Sequence, residues 1–149
     1  MFGPMFEALL RRLLSPEPQR LPQPDAALAL AALLVRVART DGMMAVEEVE
    51  RIDRTLMSHL GIGPFEAAKL RADAETLEAE APDTVRFTRA LKEATALEDR
   101  SHLMQALWSV ALADGQRDAE EDRLMRLAAN LLGLTDVESA LARQRAARE

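Results

Sequence analysis

The chain has 149 residues, seven prolines, six glycines and no cysteine, and its formal net charge at pH 7 is −6. This length predicts a single domain, and the absence of cysteine excludes disulfides, thiolate metal sites and cysteine nucleophiles. The acidic balance argues against non-specific nucleic-acid binding, and the 16 Val, Ile and Thr residues, against 51 Ala and Leu, argue against β-sheets.

The chain begins with two segments that we expect to lie outside the main domain. Residues 1–14 carry Phe, Met and Leu at the i, i+3, i+4 spacing of a short amphipathic helix. Residues 15–24 contain four prolines and predict an extended connector. We expect the first helix to pack on its own domain. The alternatives are a protein partner, a second copy of the chain in a homodimer, and a membrane surface.

The N-terminus also bears on cellular location. Arg11 and Arg12 follow the apolar residues instead of preceding them, so the segment does not resemble a secretory signal. No apolar run reaches the roughly 18 residues of a membrane span. We therefore expect a cytoplasmic protein.

The main domain is predicted over residues 25–146 and consists of helices. Prolines, glycines and cap residues delimit them. The segments 26–38 and 103–113 are almost wholly apolar, which predicts two buried helices, and Thr95 to Glu98 has the pattern of a capping box opening the second. The other predicted helices cover about 46–59, 64–80, 84–94, 119–132 and 136–145.

Two parts of the sequence resemble each other. Asp41-Gly42 matches Asp114-Gly115, and Glu47-Glu48 matches Glu120-Glu121, at a constant offset of 73 residues. Each copy is a buried helix, an Asp-Gly turn and a pair of glutamates that opens another helix. We expect the two buried helices to pack together with pseudo-two-fold symmetry, which brings both turns towards one region.

The acidic residues of these turns have two interpretations. Asp41 and Asp114 follow the C-terminal ends of apolar helices, where a carboxylate is unfavourable by up to about 1 kcal/mol, and a Ca²⁺ or Mg²⁺ ion would offset that cost. Alternatively, Glu48 and Glu121 complete capping boxes, with Asp118 as a cap, and the aspartates bond to the turn backbone. The sequence leaves both interpretations open.

Other chemistry finds little support in the sequence. His59 and His102, the only histidines, lie 43 residues apart without a metal-binding spacing, and we interpret them as structural or surface residues. There is no glycine-rich phosphate loop and no nucleophile signature. We expect a protein that is not an enzyme, because a metal-dependent mechanism would need a separate general base that no motif supplies.

The two Asp-Gly turns, each followed by a pair of glutamates, together with Trp108 and the segment Phe87 to Leu91, resemble the TerB-like family, named for tellurite resistance protein B. The resemblance implies an all-α fold of seven to eight helices, with two pseudo-symmetric halves around two buried central helices. It also implies an acidic patch proposed to bind a divalent cation. Its residues here are Asp41, Glu48, Asp114 and Glu121, flanked by Glu47, Asp118 and Glu120.

The resemblance implies a non-enzymatic accessory protein of tellurite- or stress-resistance type that acts through a protein partner. The alternative is an interaction scaffold without metal, in which the acids are only helix caps. This sequence departs from the family pattern in its first turn. There, Met43-Met44-Ala45 stands where the second turn has Gln116-Arg117-Asp118, and Ala45 cannot cap a helix with its side chain.

Overall fold

The computed structural model describes residues 25–39, 44–113 and 119–149, and these form helices with no strand. The predicted helix 1–14 and connector 15–24 lie outside the described residues. The all-α prediction is confirmed. The helices are α1 (Ala26–Ala38), α2 (Val46–Leu60), α3 (Pro64–Glu80), α4 (Thr84–Ala94), α5 (Arg100–Ala111), α6 (Ala119–Leu131) and α7 (Asp136–Ala147).

The helices α1 and α5 form the centre of the fold, as their apolar sequences predict. Nine of the 13 residues of α1 and eight of the 12 residues of α5 are buried. This burial removes most of their Ala, Leu and Val side chains from water, which is the main stabilising contribution of the core. The largest fully buried side chains include Phe87, Leu34, Ile52 and Met104.

The helix contacts follow the same scheme before and after α4. The first buried helix, α1, packs against α2 and α3, and the second, α5, packs against α6 and α7. The two central helices contact each other, α2 contacts α5, and α6 contacts α1. Exchanging α1–α3 for α5–α7 therefore reproduces the set of contacts, while α4 packs against α1 and α6.

Local signals set most helix ends. Gly61 and Gly133 end α2 and α6 with φ of 66° and 78°, a left-handed conformation that glycine adopts without a Cβ clash. The carboxylates of Asp25 and Asp83 accept hydrogen bonds from the backbone N–H groups of Leu28 and Arg86, at 2.7 and 3.0 Å. Asp25 and Asp83 are therefore the N-caps of α1 and α4.

The predicted capping box at Thr95 is wrong. Thr95 is the extended residue that ends α4, residues Leu97–Asp99 form a 3₁₀ turn, and α5 begins at Arg100. The physical reason is the Arg100 guanidinium, which donates to the backbone carbonyls of Lys92, Thr95 and Leu132, each at 3.3 Å. These bonds satisfy backbone carbonyls near the ends of α4 and α6 that have no partner within their own helix. The local sequence pattern does not reveal that Arg100 meets these carbonyls.

Within the described residues, no helix is long and apolar enough to cross a membrane.

Candidate functional site

The first-turn glutamate of α2 is almost completely buried. Glu48 is the third residue of the helix and is 7% exposed, whereas its neighbour Glu47 is exposed. Its carboxylate accepts a hydrogen bond from the backbone N–H of Ala45 at 3.0 Å. This is half of a capping box, because the methyl group of Ala45 cannot accept the reciprocal bond.

The corresponding glutamate of α6 is buried in the same way. Glu121 is the third residue of that helix and is 8% exposed, whereas Glu120 before it is exposed. Neither Glu48 nor Glu121 is isolated, since each interacts with another group of the protein. Two glutamates 73 residues apart therefore share one helix position and one degree of burial.

Burial of a carboxylate is costly unless polar partners compensate for the lost hydration. The first turn of a helix provides part of this compensation, because its free N–H groups and the positive end of the helix dipole attract negative charge. The positions of Glu48 and Glu121 are therefore electrostatically favourable. A glutamate that only caps a helix on the surface does not need to be buried to this degree.

The remaining predicted ligands lie outside the described residues: Asp41, Asp114 and Asp118. Among the residues that are described, no group of three His, Cys, Asp or Glu side chains could hold a metal ion. The two buried glutamates are oxygen donors of the kind that Ca²⁺ and Mg²⁺ prefer. A complete site at these turns would thus need the turn aspartates as well.

An ionic cluster around a buried carboxylate, next to the end of α1, was not predicted. Glu78 of α3 is 7% exposed and accepts hydrogen bonds from the guanidinium groups of Arg36 and Arg39, at 3.2 and 3.3 Å. Arg39 directly follows α1, so this cluster fixes the end of the helix from which the first turn departs. Arg36 is the only polar residue of α1, and a lone arginine on an apolar helix was the signal for a buried partner.

The sole tryptophan joins α5 to α7. The Trp108 indole N–H donates to the Ser139 hydroxyl at 3.1 Å, and the Arg143 guanidinium lies over the ring, 5.3 Å from its centroid. Trp108 is therefore a fluorescent reporter of packing within the second half.

The family model described as tellurite resistance protein TerB matches residues 27–144. The chain belongs to the TerB family. The match spans both turns and every helix from α1 to α6, together with most of α7. The predicted family and the predicted fold class are therefore both confirmed, and the chain is a tellurite-resistance-type domain.

A solved structure supports the fold of this TerB domain. The crystal structure of a protein of unknown function from Porphyromonas gingivalis W83 is similar, with a TM-score of 0.57 and 20% sequence identity. The similarity covers 88% of this chain and 99% of that one. No curated protein matches the chain.

Proposed function

We propose that this TerB-family protein is a non-enzymatic, cytoplasmic accessory protein of tellurite- or stress-resistance type. It presents an acidic surface at its two Asp-Gly turns, and this surface binds a divalent cation and a protein partner. The observation that carries the proposal is the matched burial of Glu48 and Glu121. Exposed glutamates would cap the two helices equally well, so burial at both repeats points to a further role.

Charge supports a cation as the ligand of this surface. The matching residues Asp41 and Asp114 would add two carboxylates to the two buried ones. Several carboxylates gathered in one region repel each other, and a divalent cation removes that repulsion. Calcium and magnesium both favour carboxylate and carbonyl oxygens, and the free carbonyls at helix ends are additional donors.

A second candidate function is an interaction scaffold that binds no metal. The hydrogen bond from the Ala45 N–H to Glu48 favours this alternative, because it gives the carboxylate a structural role without any ion. In both cases the proposal assigns no catalytic residue.

The test is a melting-temperature titration of the full chain with Ca²⁺, Mg²⁺, Mn²⁺ and Zn²⁺ at fixed ionic strength, read by Trp108 fluorescence. We expect one ion to raise the Tm saturably, because a ligand that binds only the native state stabilises it. The Glu48→Gln and Glu121→Gln variants should lower the affinity for that ion, while the matched Glu47→Gln and Glu120→Gln variants should not. Glutamine keeps an oxygen that can accept the Ala45 bond, so the variant tests charge and not capping.

Alanine at Asp41 and Asp114 separates the two candidates in the absence of ions. If the aspartates are ion ligands, the apo-protein should become more stable, because repulsion falls. If they only bond the turn backbone, each substitution should cost about 0.5–2 kcal/mol. No Tm response to any of the four ions would reject the cation site and leave the scaffold.

A further inference from the structure

A cavity in the described part of the chain lies between α2 and α5. Its volume is about 740 Å³, within the range of small-molecule sites. The beginning of α1 and the end of α4 close two of its sides, and Leu30, Leu91 and Leu103 contribute an apolar wall. Such a space accommodates a small organic molecule with a polar head.

One face of α2 lines this cavity with basic and hydroxyl side chains. They recur at helical spacing, so they point to the same side. The residues are Arg51, Arg54, Thr55, Ser58 and His59. The guanidinium of Arg51 donates to the hydroxyl of Ser109 across the helix interface at 3.3 Å. Arg54 is exposed and has no hydrogen bond or ion pair with any described residue.

The side of α5 that faces α2 across the cavity carries polar residues, although most of this helix is apolar. His102, Gln105 and Ser109 are spaced by three and four residues and all line the cavity. The amide of Gln105 is fixed on both sides, because it donates to Glu149 at 2.7 Å and accepts from Arg145 at 3.0 Å. The two histidines, 43 residues apart in sequence, thus share one cavity.

Among the described residues that line the cavity, the side-chain charges balance only when both histidines are neutral. The guanidinium groups of Arg51 and Arg54 oppose the carboxylates of Asp99 and Glu149, and the walls from α1 and α4 contribute no ionisable group. Partial burial and, secondarily, the charge of His102 lower the pKa of His59. An anion in the cavity would reverse this effect, because it favours both imidazolium ions.

We propose that this cavity binds the oxyanion head of a small organic molecule, a phosphate or a carboxylate, between Arg51, Arg54, His59 and His102. Binding is coupled to proton uptake by the two histidines. Arginine pairs well with both kinds of oxyanion through its planar fork of donors. The inference does not rest on the proposed cation site, because neither of its described glutamates, Glu48 and Glu121, lines the cavity.

The first experiment titrates the full chain with sulfate, at constant ionic strength, and follows the imidazole proton signals of its two histidines by NMR. Sulfate remains a dianion over the range used, so any pH dependence belongs to the protein. We expect saturable shifts at both histidines and about tenfold tighter binding near pH 5.5 than near pH 7.5, since an adjacent anion raises a pKa by about one unit or more.

Variants locate the site. Arg54→Gln should weaken binding about tenfold or more, since it removes a charged partner of the anion. This arginine is exposed and makes no bond to the described residues, so the variant should keep its fold. The matched control is Arg126→Gln on the exposed side of α6, which should bind like the wild type. The double variant His59→Gln/His102→Gln should lose the pH dependence of the affinity.

Titrations with inorganic phosphate and with citrate at one intermediate pH distinguish the two sources of the oxyanion. Tighter binding of either one supports the proposal and identifies the head group. The absence of saturable binding by all three anions at tens of millimolar would overturn it. Equal binding by the Arg54→Gln and wild-type proteins, or an unchanged pH dependence in the double histidine variant, would also overturn it.

Discussion

Glu48 and Glu138 occupy the same position in their helices and make the same bond, but in different environments. Each is the third residue of its helix, and each accepts a hydrogen bond from the backbone N–H of the N-cap residue at 3.0 Å. Glu138 also accepts from the Thr135 hydroxyl at 3.0 Å and is exposed, while Glu48 lacks such a partner at Ala45 and is 7% exposed. A capping glutamate therefore does not need to be buried, and the burial of Glu48 requires another explanation.

The largest effect should come from the third buried carboxylate, Glu78. Glu78→Ala leaves Arg36 and Arg39 without their shared partner, and we expect unfolding free energy to fall by about 1–3 kcal/mol. Both arginines are partly exposed, which keeps the loss below that of a fully buried pair. Urea unfolding measures the change, with the exposed Glu80→Ala on the same helix as control. Equal stability of the two variants would show that buried carboxylates here do not differ from exposed ones.

The direct test of the comparison is alanine at both capping glutamates. Glu48→Ala removes a buried acceptor from the Ala45 N–H and should cost about 0.5–2 kcal/mol. Glu138→Ala should cost less, because water can bond to the exposed Thr135 N–H. Urea unfolding of both variants checks the order. An equal or larger loss at Glu138 would mean that burial adds nothing to the Glu48 cap.

Exchanging the cap residues sharpens the same comparison. Thr135→Ala converts the α7 cap to the kind found at α2, and removes the hydroxyl that accepts from the Glu138 N–H at 3.1 Å. We expect a loss of about 1 kcal/mol. Ala45→Ser gives α2 the missing acceptor, since residue 45 already has the extended N-cap backbone, and should add about 0.5 kcal/mol. Differential scanning calorimetry would record a lower Tm for Thr135→Ala and a higher Tm for Ala45→Ser. A lower Tm for Ala45→Ser would show that α2 does not gain from a side-chain acceptor at residue 45.

The sequence predicts what depends on local geometry. Glycine in a left-handed turn, an aspartate before a helix and an all-apolar segment each act within a few residues, and they locate most of the helices correctly. The failures are non-local. The partners of Arg100 reach from residue 92 to residue 132, and Arg36 meets Glu78 42 residues away. The cavity is assembled in the same way, from polar faces of α2 and α5 whose meeting depends on packing.

The smallest expected effect is the change in the free energy of unfolding between about pH 7.5 and pH 5.5. The Glu138 cap does not contribute to it, because its carboxylate titrates at lower pH. The bonds from Thr135 lower the pKa of Glu138, so their stabilisation is present above the ordinary glutamate pKa of about 4.5 and is lost only as pH falls further. His59 acts at higher pH. Its pKa is lowered in the folded protein by partial burial and by the charge of His102, so the unfolded chain binds a proton first as the pH falls.

The stability due to neutral His59 is therefore present above the unfolded pKa of about 6.5 and declines as pH falls through the lower folded pKa. Urea unfolding between about pH 7.5 and pH 5.5 should show this decline in the wild type. The decline should be smaller in His59→Gln. It should also be smaller in His102→Gln, which removes the repelling charge from His59. A decline in His102→Gln identical to that of the wild type would show that the two histidines do not interact across the cavity.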